Sequence, residues 1–156
     1  QTLLHVIFTG DKKSLPADRE SLFLANVKSV SALSPELKEK NTLQFAMKTR
    51  LKLFWRPAQL KESDALEAYA KITFQRQGDT LIANNPTPFY VSFGELAVGG
   101  KSVPVKETKT TPGAISMMVA PFSEQRFALP NSAKGAVTWT AINDFGGQTP
   151  QRKQAL

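Results

Sequence analysis

Few side chains in this sequence could carry covalent chemistry. It holds no cysteine, which removes disulfides, thiolate nucleophiles and sulfur-based zinc sites. It holds a single histidine, His5, which removes any multi-histidine metal site. No nucleophile-elbow sequence accompanies His5, so a hydrolytic role lacks its other members. Gly99-Gly100-Lys101-Ser102 imitates the end of a phosphate-binding loop. That motif, however, needs a glycine where Glu95 stands, and a helix where a strand pattern follows. A hairpin turn is expected there instead. No enzymatic activity, cofactor or metal is expected.

What remains is recognition by apolar and charged side chains. In residues 41–54, Leu43, Phe45, Met47, Thr49, Leu51 and Leu53 share one face of an extended chain, while Gln44, Ala46, Lys48, Arg50 and Lys52 share the other. A period of two sustained this far is much longer than the usual strand of about five or six residues. Periodicity alone leaves two uses for the apolar row, the chain's own core or a partner's groove. Lysine and arginine total 20 against 13 acids, a formal charge of +7 that favours acidic partners. The basic residues are scattered along the chain, so no nucleic-acid partner is expected.

The elements that must position these residues read as all-β. Ten prolines and nine glycines punctuate short β-rich runs, and no long helical period occurs. Strands are expected at 3–9, 22–30 and 42–54. Residues 56–64 lose the alternation and carry Pro57, which suggests a linker. Beyond it, 72–75 and 80–83 form a hairpin across Gln77-Gly78-Asp79. Further strands are expected at 89–93, 96–98, 101–105, 116–119, 125–128 and 136–142. That count in about ninety residues fits an immunoglobulin-like sandwich, whereas three strands in the first part fit half of one. Trp55 and Trp139 are expected to pack in cores or at a domain junction. No apolar run approaches the eighteen or so residues of a membrane span, so no membrane insertion is expected. Residues 1–8 are too short and uncharged for a signal peptide, leaving a mature, truncated or cytosolic chain.

Four stretches, in order and spacing, resemble the signature of the periplasmic pilus (fimbrial) chaperones of the chaperone–usher pathway, the PapD-like family. They are Leu15-Pro16-Ala17-Asp18-Arg19-Glu20-Ser21-Leu22-Phe23 with Asn26-Val27, Lys48-Thr49-Arg50-Leu51-Lys52-Leu53-Phe54-Trp55-Arg56-Pro57, Asn85-Pro86-Thr87-Pro88-Phe89-Tyr90-Val91, and Ala141-Ile142-Asn143-Asp144-Phe145-Gly146-Gly147. Leu24 stands where an aromatic is common and Ser31 where a proline is common. The resemblance implies two immunoglobulin-like β-sandwich domains in tandem, the first represented only by its C-terminal half. The expected division is 1–57 for that part, 58–64 for the linker and 65–156 for the second domain.

The resemblance also implies a function. A long edge strand is lent to an unfinished pilus subunit, which is then delivered to an outer-membrane usher in the periplasm. Leu43, Phe45 and Met47 would fill the subunit's apolar groove, and Lys52 would bind its C-terminal carboxylate. The family pairs this lysine with an arginine from its first strand, which has no counterpart here. Glu20, Arg56 and Asp144 fall where the family places an ion-pair network that sets the angle between domains. A generic immunoglobulin-like binding module and a degenerate chaperone without present activity are the alternatives.

Overall fold

The structure, a computed structural model, describes residues 3–30, 46–106, 113–130 and 133–156. It divides into two compact units, Ser21–Arg56 on the one hand and Gln1–Glu20 with Pro57–Leu156 on the other.

In the smaller unit, β1 (Ser21–Val30) and β2 (Ala46–Trp55) pair antiparallel in unbroken register from Ser21 opposite Trp55 to Val30 opposite Ala46. Residues directly opposite share a face. One face therefore carries Phe23, Ala25 and Val27 against Leu53, Leu51 and Thr49, and the other carries Leu24, Asn26 and Lys28 against Lys52, Arg50 and Lys48. The alternation read in the sequence is thus realised over β2. Residues 41–45, which that reading included in the strand, lie outside the described residues.

The segment expected to be a linker holds a turn at Pro57, closed by Leu60 N–H on the Pro57 carbonyl at 3.0 Å. It then enters helix α1 (Glu62–Glu67), followed by a 3-10 turn over Ala68–Lys71. Glu62 and Asp64 sit in the first helical turn, where carboxylates oppose the helix dipole favourably. At six residues the helix is too short to print a 3.6-residue period, so the sequence does not reveal it.

The larger unit contains a sandwich of two sheets. One runs β3 (Thr73–Gln77), β4 (Thr80–Asn85), β8 (Ser123–Ala128). The other runs β10 (Arg152–Gln154), β9 (Val137–Ala141), β5 (Val91–Val98), β6 (Lys101–Ser102), with β7 (Met118–Val119) also on β5. Phe74, Leu81 and Phe127 from the first sheet and Phe93, Val98, Val119, Val137 and Trp139 from the second belong to one buried core. Aromatic contacts span it, with ring centroids 4.8 Å apart for Phe74–Trp139 and 5.9 Å for Phe93–Phe127. The Trp139 indole N–H donates to the Tyr69 carbonyl at 2.9 Å, so the buried ring leaves no polar group unsatisfied.

Several expectations need correction. Residues 3–9 form no strand, because no described strand stands beside them and a strand needs a ladder partner for its backbone groups. The strands expected at 89–93 and 96–98 are one strand, β5, which begins only at Val91 and whose register against β9 shifts between Phe93 and Glu95. The run 101–105 keeps only Lys101–Ser102 as strand, and 116–119 is a helical turn (Gly113–Ser116) leading into β7. Strand β10 was not expected, since Arg152-Lys153-Gln154 has no apolar alternation. It is fastened by the Gln154 amide, which accepts from Phe74 N–H at 3.0 Å and donates to the Phe74 carbonyl at 2.7 Å, tying one sheet to the other. Gly99 and Gly100 form the β5–β6 turn with φ of +56° and +77°, as Val98 pairs with Lys101. A Cβ on Gly99 would stand 1.9 Å from the Lys134 carbonyl oxygen, so only glycine fits.

Candidate functional site

Of the candidate subunit-binding residues, Met47 and Lys52 lie on β2 of the ribbon. Met47 lies opposite Ser29 and is 71% exposed. Leu43 and Phe45, expected beside it, lie outside the described residues. Lys52 lies opposite Leu24 on the other face and is half-buried. Burial holds its ammonium below the ordinary lysine value, because losing water disfavours the charged form. Among the described residues β2 has β1 as its sole ladder partner, so one edge of the strand is not engaged in a sheet.

Glu20, Arg56 and Asp144 occupy distinct positions. Arg56 follows β2 directly and closes the smaller unit, whereas Glu20 and Asp144 fall in the larger one. Asp144 is exposed in the turn 143–147. There the Asn143 side-chain oxygen accepts from Phe145 N–H at 3.0 Å and Gly147 N–H at 2.9 Å. Glu20 is 3% exposed. Its N–H donates to the Pro88 carbonyl at 2.9 Å, and its carboxylate accepts from Tyr90 N–H at 2.8 Å. The Tyr90 hydroxyl is pushed up, first by burial and then by the negative charge of Glu20, with Arg19 opposing.

The sequence reading missed what makes this seat for Glu20. Asn85 is fully buried at the head of the 86–90 loop. Its amide nitrogen donates to the carbonyls of Phe89 at 2.7 Å and Ala120 at 3.0 Å, and its oxygen accepts from Thr87 N–H at 3.0 Å and Thr87 Oγ1 at 2.7 Å. Beside the loop, Arg19 bonds Asp18 at 2.8 Å and lies over the Phe122 ring at 5.0 Å. The Arg19 hydrogen bond holds the Asp18 carboxyl below its ordinary value. The sequence marks both ends of this contact, Glu20 and the Asn-Pro-Thr-Pro run, as parts of the family signature, but the run reads as a turn without saying what it grips.

The described residues thus build an all-β protein, a two-sheet sandwich with a two-stranded ribbon. Comparison with known proteins identifies the family. Residues 67–153 match the family described as Pili assembly chaperone PapD, C-terminal domain. Residues 1–61 match the Pili and flagellar-assembly chaperone, PapD N-terminal domain. The chain belongs to this family of non-enzymatic pilus assembly chaperones.

Among curated relatives, the probable fimbrial chaperone protein ElfD of Escherichia coli K12 is 36% identical over 152 residues, covering 97% of this chain and 59% of that protein. The chaperone protein FimB/FhaD of Bordetella pertussis is 37% identical over 150 residues, covering 94% and 58%. The crystal structure of the E. coli chaperone DraB is similar with a TM-score of 0.70 at 34% identity, covering 95% of this chain and 64% of that one. The structure of Salmonella enterica SafA pilin in complex with the SafB chaperone is similar with a TM-score of 0.74 at 28% identity, covering 96% and 65%. The chain thus spans somewhat less than two thirds of the length of these relatives. No helix among the described residues is long and apolar enough to cross a membrane.

Proposed function

We propose that this chain binds and stabilises pilus subunits in the periplasm by donor-strand complementation and delivers them to an outer-membrane usher. The observation that carries the reading is β2 itself. It is a ten-residue strand with Met47 71% exposed and with β1 as its one described ladder partner. An unfinished immunoglobulin-like subunit has the opposite need, an apolar groove and unpaired backbone groups, and a lent strand satisfies both. Leu43, Phe45 and Met47 are the groove-filling residues. Each contributes roughly 1.5–3 kcal/mol on full burial before ordering costs are subtracted. Lys52 takes the subunit's C-terminal carboxylate by a charge-assisted bond.

Residues 1–57 and 65–156 serve as parts of two domains joined by 58–64, and Glu20, Arg56 and Asp144 fix their mutual orientation rather than bind the subunit. The test is co-purification of the chain with pilus subunits, and its loss in Phe45→Asp. Normal capture by that variant would remove the proposed role of the strand.

The alternative is a degenerate chaperone without present activity. Aggregation of the purified chain would support that alternative, and a soluble monomer that captures subunits would exclude it.

A further inference from the structure

The register of the ribbon gathers charge that the sequence leaves dispersed. Lys28 and Lys48 stand directly opposite one another, Asn26 stands opposite Arg50, and Leu24 opposite Lys52. Because alternate strand residues share a face, these four cations lie on one side of the ribbon along three rungs, and Phe23, Ala25, Val27, Leu51 and Leu53 lie on the other. Neither strand contains an aspartate or glutamate. Lys28, Lys48 and Arg50 are exposed, and Arg50 Nε donates to the Asn26 side-chain oxygen at 3.0 Å, which fixes where the guanidinium sits.

Like charges directly across a ladder destabilise it, so the stability of the ribbon gives no reason for the Lys28–Lys48 pair. Apposition of an anionic partner does. The adjoining edge of β2 narrows the kind of partner, since only a polypeptide can pair with its backbone groups. A strand added there sends every second side chain to the cationic face and the others to the apolar face. Its side chains repeat every 6.6–6.8 Å or so on each face, the same spacing as Lys48, Arg50 and Lys52.

We propose that the cationic face is a docking surface for an extended segment whose acidic and apolar residues alternate, carried by the subunit that β2 binds. The partner assignment rests on the function proposed above. The acidic side chains lie beside Lys48 and Arg50 on β2, within reach of the long Lys28 side chain one strand further in, and the apolar ones extend the opposite face. Apolar contacts on one side give the complex its lifetime, and the charges on the other give it speed and register.

The test uses the whole chain and two synthetic peptides of about twelve residues, long enough to run along β2. One alternates valine with glutamate and the other alternates valine with lysine. The glutamate peptide is expected to bind about tenfold or more tightly than the lysine peptide, and to weaken steeply as salt is raised. In the double variant Lys28→Gln, Lys48→Gln that binding falls about tenfold, while the thermal midpoint is unchanged or higher because a repulsive pair has gone. A purely structural role for the two lysines would lower the midpoint instead.

Equal binding of both peptides, undiminished binding by the double variant, or tighter binding of a single-stranded oligonucleotide or of phosphatidylglycerol vesicles than of the glutamate peptide would each overturn the proposal. If subunits are captured at the same rate and salt dependence by wild type and double variant, this surface falls and the chaperone reading stands. If no subunit is captured while the glutamate peptide binds as expected, the reverse holds.

Discussion

The carboxylate of Glu20 accepts a 2.8 Å hydrogen bond from the backbone N–H of Tyr90, seventy residues further along the chain. With the Glu20 N–H on the Pro88 carbonyl, the residue just before β1 is held by both its main chain and its side chain to one loop of the larger unit. A glutamate expected to act through an ion pair is therefore also a ligand for backbone.

Removing that ligand separates the two roles. Glu20→Ala leaves a part-buried N–H without its acceptor and is expected to cost about 1–3 kcal/mol in urea unfolding. Glu20→Gln keeps an acceptor oxygen and should recover most of it. Hydrogen exchange at the Tyr90 amide should speed up in the alanine variant and not in the glutamine variant. Equal exchange in both would show that the bond does not hold the loop.

Asn85 is the hub of that loop, and its loss should be among the most damaging single changes. Asn85→Ala abandons the carbonyls of Phe89 and Ala120 and the Thr87 N–H in a fully buried site. An expected loss of about 3 kcal/mol or more follows from several unsatisfied groups in low dielectric. Asn85→Asp should not rescue, because a carboxylate faces those carbonyls with no donor. Equilibrium denaturation of the three proteins decides it.

Lys52 gives opposite pH dependences for folding and binding. Its folded-state value is held below 10.5 by burial, so between that lowered value and 10.5 the unfolded chain binds more protons and stability rises with pH. This contribution is present above the unfolded value and lost as pH falls through the folded one. Capture of a peptide's terminal carboxylate should run the other way, fading as pH rises through the folded value. Lys52→Met should flatten both profiles, measured by denaturation and by peptide binding from neutral to alkaline pH.

Met47→Asp should leave stability within about 0.5 kcal/mol, since the side chain is already 71% exposed. Subunit capture should fall by about tenfold or more, because a carboxylate cannot enter an apolar groove without a partner. Loss of stability together with capture would instead make Met47 a core residue.

Much of the architecture was legible because it rests on local pattern. The alternation in β2, the hairpin between β3 and β4 and the Gly99-Gly100 turn each follow from residue types within a few positions of one another. Helix α1 and strand β10 were not legible. The first is shorter than its own period, and the second is held by the Gln154 amide on Phe74, eighty residues away. The segment 3–9 shows the reverse error, since strand-like composition makes no ladder where no described strand stands beside it.

The sequence by itself determined the family, the all-β class, the absence of thiol and multi-histidine chemistry, and the alternation of β2, since all of these follow from residue identity and short-range order. Tertiary structure alone decided that Lys28 faces Lys48, that Glu20 is buried against Tyr90, and that Asn85 organises the loop between them. Those relationships join residues far apart in the chain. Pairing register and packing bring them together, and neither can be computed from spacing along one strand.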